Sequence, residues 1–145
     1  MSRLKRKPIL TVEVVRRSEL SDLPSDQKLK GLIEKAWQIY AGPRAVHCTL
    51  VLMDEAEHTA LHKQFLGDAN PTDVMAFPYG DEDLYGEILV NVEMAARECA
   101  FHDKFFYEEI SLYIVHGALH LIGFDDLCEP SRCNMRIAEQ RVLGD

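Results

Sequence analysis

A chain of 145 residues, 47% of them hydrophobic, is long enough to bury one sizeable core and too short to suggest two domains, so one globular domain over 1–145 is expected. The net charge of -8 disfavours nonspecific attachment to nucleic acid, DNA included, because that attachment draws its affinity from cations neutralising phosphates. No apolar run approaches the ~20 residues that span a membrane, and the start Met1-Ser-Arg-Leu-Lys-Arg-Lys-Pro8 lacks a signal-peptide core and cleavage site, so a cytoplasmic protein without membrane attachment is expected.

Residues 1–8 read as a flexible basic N-terminus. Arg3, Lys5, Arg6 and Lys7, with Arg16 and Arg17 close behind, are the candidate basic patch, although a solvated terminus is the preferred reading. Ile9-Leu-Thr-Val-Glu-Val-Val15 is rich in β-branched residues and predicts a strand. Ser25 or Asp26 caps a helix running to about Tyr40, with Leu29, Leu32, Ile33, Ala36, Trp37 and Tyr40 on one stripe and Gly42-Pro43 stopping it. Ala45 to Met53 predicts a second strand. Asp54 then caps a helix from Glu55 to Leu66 that Gly67 ends. His58 and His62 share a face of that helix, but no third ligand accompanies them, and a solvated face is expected.

Pro71 to Pro78 predicts a short strand and Gly86 to Asn91 its hairpin partner, joined by an acidic loop at Gly80 to Asp83. Helices from Val92 to Ala100 and from Lys104 to Ile122 follow, the second with Glu108 and Glu109 near its positive N-terminus. Its middle, Ile110-Ser-Leu-Tyr-Ile-Val115, is apolar nearly all round, as in a helix buried in the core. A last helix runs from Glu129-Pro130-Ser131 to about Leu143, with Ser131 as the expected N-cap. The four cysteines, Cys48, Cys99, Cys128 and Cys133, are scattered and expected to stay reduced; Cys128 and Cys133 would approach one another across a helix start, but no redox or metal role is assigned to them.

The chemistry is concentrated in His116-Gly-Ala-Leu-His120-Leu-Ile-Gly123-Phe-Asp125-Asp126. Residues four apart on an α-helix come within about 40° of one face, so the two imidazoles can hold one ion between them. Gly123 can end the helix and turn the chain back, which returns Asp126 as a third ligand. Two neutral nitrogens, one carboxylate oxygen and an open position for water form the donor set of a catalytic zinc site. The spacing overlaps that of metzincin-like peptidases, yet those enzymes need a glutamate directly after the first histidine as general base. Gly117 stands there, and the peptidase reading loses its base.

This helix motif, together with Asn70-Pro-Thr-Asp-Val-Met-Ala-Phe-Pro78, Tyr85-Gly-Glu-Ile-Leu-Val90 and Met135-Arg-x2-Glu139, resembles the YbeY family of bacterial rRNA maturation factors. The order and spacing of the four blocks match over roughly residues 9 to 143. The resemblance implies an α+β fold with a small mixed four-stranded sheet surrounded by about five helices. It also implies a Zn²⁺ ion and a single-strand-specific endoribonuclease acting in 16S rRNA 3′-end maturation and ribosome quality control, with rRNA and the ribosome as partners.

Four positions depart from the family pattern. Its third zinc ligand is a histidine where this chain has Asp126, and a carboxylate there lowers the net charge of the site by one and leaves a bound water less acidic. Carboxylate also suits harder metals, so iron or manganese become alternatives to zinc. The family's phosphate-engaging arginine is Leu66 here, and leucine can neither grip a phosphate nor stabilise charge developing on it. Lys63, about one helical turn earlier, is the candidate point-charge substitute and is counted with His116 and His120 among the candidate catalytic residues, with Arg97 as the other choice. The family's serine in the strand block is Ala76, and its asparagine after Leu61 is His62. A second reading follows from Leu66 and Asp126: a ribosome-associated assembly factor with weakened or lost catalysis.

Overall fold

The computed structural model describes residues 10–44, 46–81 and 83–144. The expected basic N-terminus, with Arg3, Lys5, Arg6 and Lys7, and the first strand's Ile9 lie outside them. The elements run β1 (Leu10–Arg17), α1 (Asp26–Ile39), β2 (Val46–Met53), α2 (Glu55–Leu66), β3 (Val74–Pro78), β4 (Gly86–Asn91), α3 (Val92–Glu98), α4 (Phe106–Ile122) and α5 (Glu129–Leu143). The sheet order is β1-β2-β4-β3, in which β1, β2 and β4 are parallel and β3 is an antiparallel edge. This is the α+β architecture expected, a mixed four-stranded sheet with five helices.

Strand alternation divides the apolar residues between two faces. Cys48, Leu50 and Leu52 of β2 and Ile88 and Val90 of β4 face the main core, which α1, α4 and α5 close with Leu29, Ile33, Trp37, Ile114, Leu119 and Met135. Val51, Met53, Met75 and Leu89 face the other way, where Leu61 of α2 and Phe77 pack on them. The α4 helix is the spine of the main core, with Ile110, Ile114, Val115, Ala118 and Leu119 all fully buried. It approaches β3 and β4 closely at Gly117: a Cβ there would lie 2.6 Å from Ile88 Cγ2 and 3.2 Å from Val74 Cγ2. That closeness brings His116 and His120 up to the free edge of the sheet.

Several local expectations are corrected. Asp54 occupies the N-cap position of α2, as expected, but makes no side-chain bond to the helix; its carboxylate accepts from Ser18 Oγ (2.5 Å) and Glu19 N (3.2 Å), while Glu93 of α3 accepts from Glu55 N at 2.7 Å. Ser131 is not the N-cap of α5. The helix starts three residues earlier than that cap would set, because proline is compatible with a first turn, and Ser131 Oγ accepts from Cys128 N at 3.1 Å. The first helix does use Ser25, which accepts from Lys28 N at 3.3 Å. His58 is fully buried rather than solvated, with Nε2 donating to Leu89 O at 2.8 Å. A histidine in the first turns of α2 reaches a sheet carbonyl because that helix lies on the second face of the sheet. Burial lowers the His58 pKa, against the raising effect of the Leu89 bond.

Candidate metal centre and cleft

His116 and His120 project from the last turns of α4, and Asp126 returns from the loop that follows. Gly123 makes this return possible with φ of 128°, a conformation that side chains rarely adopt, while its N–H bonds the carbonyls of Leu119 and His120. Phe124 then anchors the loop by packing its ring edge-on to Tyr40 at 5.0 Å. Asp125 accepts from Leu127 N at 3.1 Å in a local side-chain turn, and Arg132 donates to Asp126 O at 3.4 Å. The bond from Leu127 N holds the Asp125 carboxyl below its usual range.

The result is a compact donor set. His116 Nε2 lies 3.0 Å from His120 Nε2, and Asp126 Oδ2 lies 3.6 Å and 3.8 Å from these two atoms. Ligands bonded at ~2.1 Å around a tetrahedral ion stand about 3.4 Å apart, so these separations suit one small transition-metal ion. On the far side of the ring, His116 Nδ1 donates to Glu139 Oε2 of α5 at 2.6 Å. That bond fixes the tautomer and leaves the Nε2 lone pair facing His120 and Asp126, the arrangement that metal-binding histidines use. The donor chemistry therefore fits a metal.

The two imidazoles are electrostatically distinct. Burial pulls His116 down, but the hydrogen bond and charge of Glu139, with Asp73 and Asp126, outweigh it and leave the pKa raised. Burial and the neighbouring His116 lower that of His120, and Asp126 opposes them.

The triad opens into a cleft of about 400 Å³. Its floor is the free edge of β3 from Thr72 to Phe77; His62 and Leu66 of α2 line one wall, and His116, Gly117 and His120 of α4 the other. No lysine or arginine is among these lining residues. Lys63 does not line the cleft: it is exposed, about 100° around α2 from His62, which with Leu66 forms the cleft-facing row. Arg97 is engaged elsewhere, paired with Glu55 at 2.8 Å. Arg16 and Arg17, the described part of the expected basic patch, pair with Asp26 and Glu57, each at 2.6 Å. His62 lines the cleft wall, and its Nδ1 lies 2.8 Å from Asn70 O. The structure also explains why no glutamate base follows His116, since position 117 points its Cβ direction into Ile88.

Two contributors went unassigned in the sequence. Glu139 lay in a matched block with no role, and only its contact with His116 supplies one. Asp73 lines the cleft and is tied to the β3 entrance by accepting from Val74 N at 2.7 Å. Cys48 is buried, with its thiol pushed up to about 12 by desolvation, and Cys128 and Cys133 are exposed free thiols. No helix among the described residues is long and apolar enough to cross a membrane.

A mixed sheet carrying a His-His-Asp cluster at the end of a buried helix, with a glutamate behind the first histidine, defines an α+β protein with a candidate hydrolytic metal centre. A profile of the family described as endoribonuclease YbeY matches residues 15–145. The chain belongs to that family. An endoribonuclease YbeY of Chelativorans sp. (strain BNC1) is 32% identical over 133 residues, covering 84% of this chain and 82% of that one. Another, from Thermotoga maritima, is 38% identical over 99 residues, covering 66% and 64%. The solution structure of TM1509 from Thermotoga maritima superposes with a TM-score of 0.61 at 28% identity, covering 92% of this chain and 90% of that one.

Proposed function

We propose that this protein is a metal-dependent endoribonuclease that cuts single-stranded RNA in rRNA maturation at the 16S 3′ end and in ribosome quality control, in the cytoplasm. The observation that carries the reading is the His116–His120–Asp126 cluster at the head of a cleft, in a chain belonging to a family of endoribonucleases. His116, His120 and Asp126 would hold the ion, zinc first among the candidates. When bound, such an ion polarises a phosphoryl oxygen and lowers the pKa of water. Glu139 keeps the proton on His116 Nδ1 and so keeps Nε2 aimed at the cleft. Asp73 anchors the strand edge along which the RNA backbone would lie.

Metal content by elemental analysis, on wild type and Asp126→Ala in parallel, is the first test. About one zinc per wild-type chain, lost in the variant, supports the site. Cleavage of an unstructured RNA by metal-loaded wild type, abolished in His116→Ala, supports the activity, and wild type that binds no metal would sink it. A second reading, a ribosome-associated assembly factor with weakened catalysis, is favoured by Leu66, which lines the cleft in place of an arginine and leaves no cationic grip on a phosphate. Ribosome association without cleavage, unchanged by His116→Ala, would select it.

A further inference from the structure

The cleft raises a physical problem for an RNA enzyme. Its lining supplies the carboxylates of Asp73 and Asp126 but no lysine or arginine, so the phosphate backbone finds no cationic partner there among the described residues. Beside the cleft lies a surface of another kind. Phe65 and Leu66, in the last turn of α2, are each 57% exposed, and Tyr79, just beyond β3, is 52% exposed. Phe65 and Phe77 meet with ring centroids 5.5 Å apart and planes at 62°. Tyr79, one residue past β3, lies on the same side as Phe77, because it reaches Glu87, the cross-strand partner of Phe77. Its hydroxyl donates to Glu87 Oε1 at 2.7 Å, so the ring is held rather than free to swing. Phe77 and Leu66 belong to both the cleft lining and this aromatic surface, which makes the two continuous.

We propose that Phe65, Phe77 and Tyr79 form a stacking platform for unpaired bases of the RNA strand that runs into the metal-centre cleft. The inference rests on the endoribonuclease reading above and names how its substrate is held. Every base has a π-face, so stacking binds RNA without sequence preference and without a cation. A duplex keeps its bases stacked inside, so the same platform selects single strands. It replaces, by another force, the hold that an arginine at position 66 would supply.

The test uses zinc-loaded full chain and a 2′-O-methyl oligoribonucleotide of about twelve unstructured nucleotides, which cannot be cut through its own 2′-oxygen and whose integrity is verified on a denaturing gel after binding. A companion set carries one abasic ribose at each position in turn. Phe65 and Tyr79 are more than half exposed, so substituting them spares the core; thermal midpoint and zinc content, both unchanged, verify this. Phe65→Ala and Tyr79→Ala should each raise Kd by about 5- to 100-fold, and Phe65→Trp should restore it. At one position the abasic ribose should weaken wild type by a similar factor and leave Phe65→Ala unaffected. Phe65→Ala binding as wild type, or losing equally with intact and abasic probes, would overturn the platform; the second outcome would mean that Phe65 acts on the RNA without stacking on a base. The two readings fail separately: wild type and Phe65→Ala cleaving RNA alike removes only the platform, whereas wild type that neither binds nor cleaves RNA removes the ribonuclease reading itself.

Discussion

Glu139, in the C-terminal half of α5, accepts a 2.6 Å hydrogen bond from Nδ1 of His116 in α4, so that the last helix sets the orientation of the first imidazole of the triad. A carboxylate behind a ligand histidine raises its basicity as well as fixing its ring. Glu139→Gln, which keeps an acceptor but loses the charge, should weaken zinc binding about 10-fold, and Glu139→Ala toward 100-fold. Competition against a chromophoric chelator measures both. Equal affinity in all three proteins would mean that α4 alone orients His116.

The two neighbouring aspartates should separate cleanly. Asp126→Ala removes a donor and should cost the metal; Asp125→Ala removes no member of the triad, only bonds that brace the loop at Leu127 and Ser131, and should cost far less affinity. Asp126→His replaces a charged oxygen by a neutral nitrogen, restores one positive charge to the site and should favour zinc over manganese. Elemental analysis after dialysis against a mixture of the two metals reads the preference directly.

Leu66→Arg places a guanidinium on the cleft wall. If it reaches one phosphate, log Kd for single-stranded RNA should become steeper in log salt by about 0.7, with tighter binding at low salt. A salt titration of wild type and variant, at equal zinc occupancy, provides the comparison. An unchanged slope would place the backbone beyond reach of that wall.

Gly117→Ala sets two effects against each other. Alanine gains about 1 kcal/mol as a helix former. Its methyl group, however, would meet the fully buried Ile88 at 2.6 Å, and overpacking of that kind costs about 1–3 kcal/mol. Net destabilisation is expected, seen as a lower denaturant midpoint with an unchanged slope.

His58 should give the fold a mild acid sensitivity. Burial lowers its folded pKa below the ordinary 6.5, so the unfolded chain binds the proton more readily. The stabilisation is complete above about 6.5 and is lost as pH falls from there through the folded value. Urea midpoints of wild type and His58→Gln, measured across that range, should converge as the pH falls.

Much of this arrangement was legible in the sequence, and the limits have physical causes. Apolar periodicity placed the strands and helices, because faces at period 2 and period 3.6 must be buried whatever their partners. The triad was legible because its members lie within one helix and the loop that follows it. What pattern could not supply was anything set by two elements meeting. His58 looked solvated until α2 was laid across Leu89, and Glu139 had no role until α5 met α4. Lys63 was the natural cation by proximity in sequence, yet one residue is about 100° on a helix, and that rotation takes it out of the row of His62 and Leu66. Asp54 keeps the cap position of α2, but Glu93 from α3 bonds the first-turn amide in its stead, and an earlier helix start displaces Ser131 as the cap of α5.

The three candidate ligands differ in how they are mounted. His116 and His120 stand on the helix at the centre of the core, and amides in such a helix exchange with solvent only through opening of the whole fold. Asp126 stands on a short loop held by a few exposed bonds, which can open alone at far lower cost. Departure of an ion would therefore be timed by the loop, while its binding strength depends on the helix. Dissociation rate and affinity become separately adjustable, and substitutions at Phe124 or Arg132 should speed metal exchange while leaving the two imidazoles where they are.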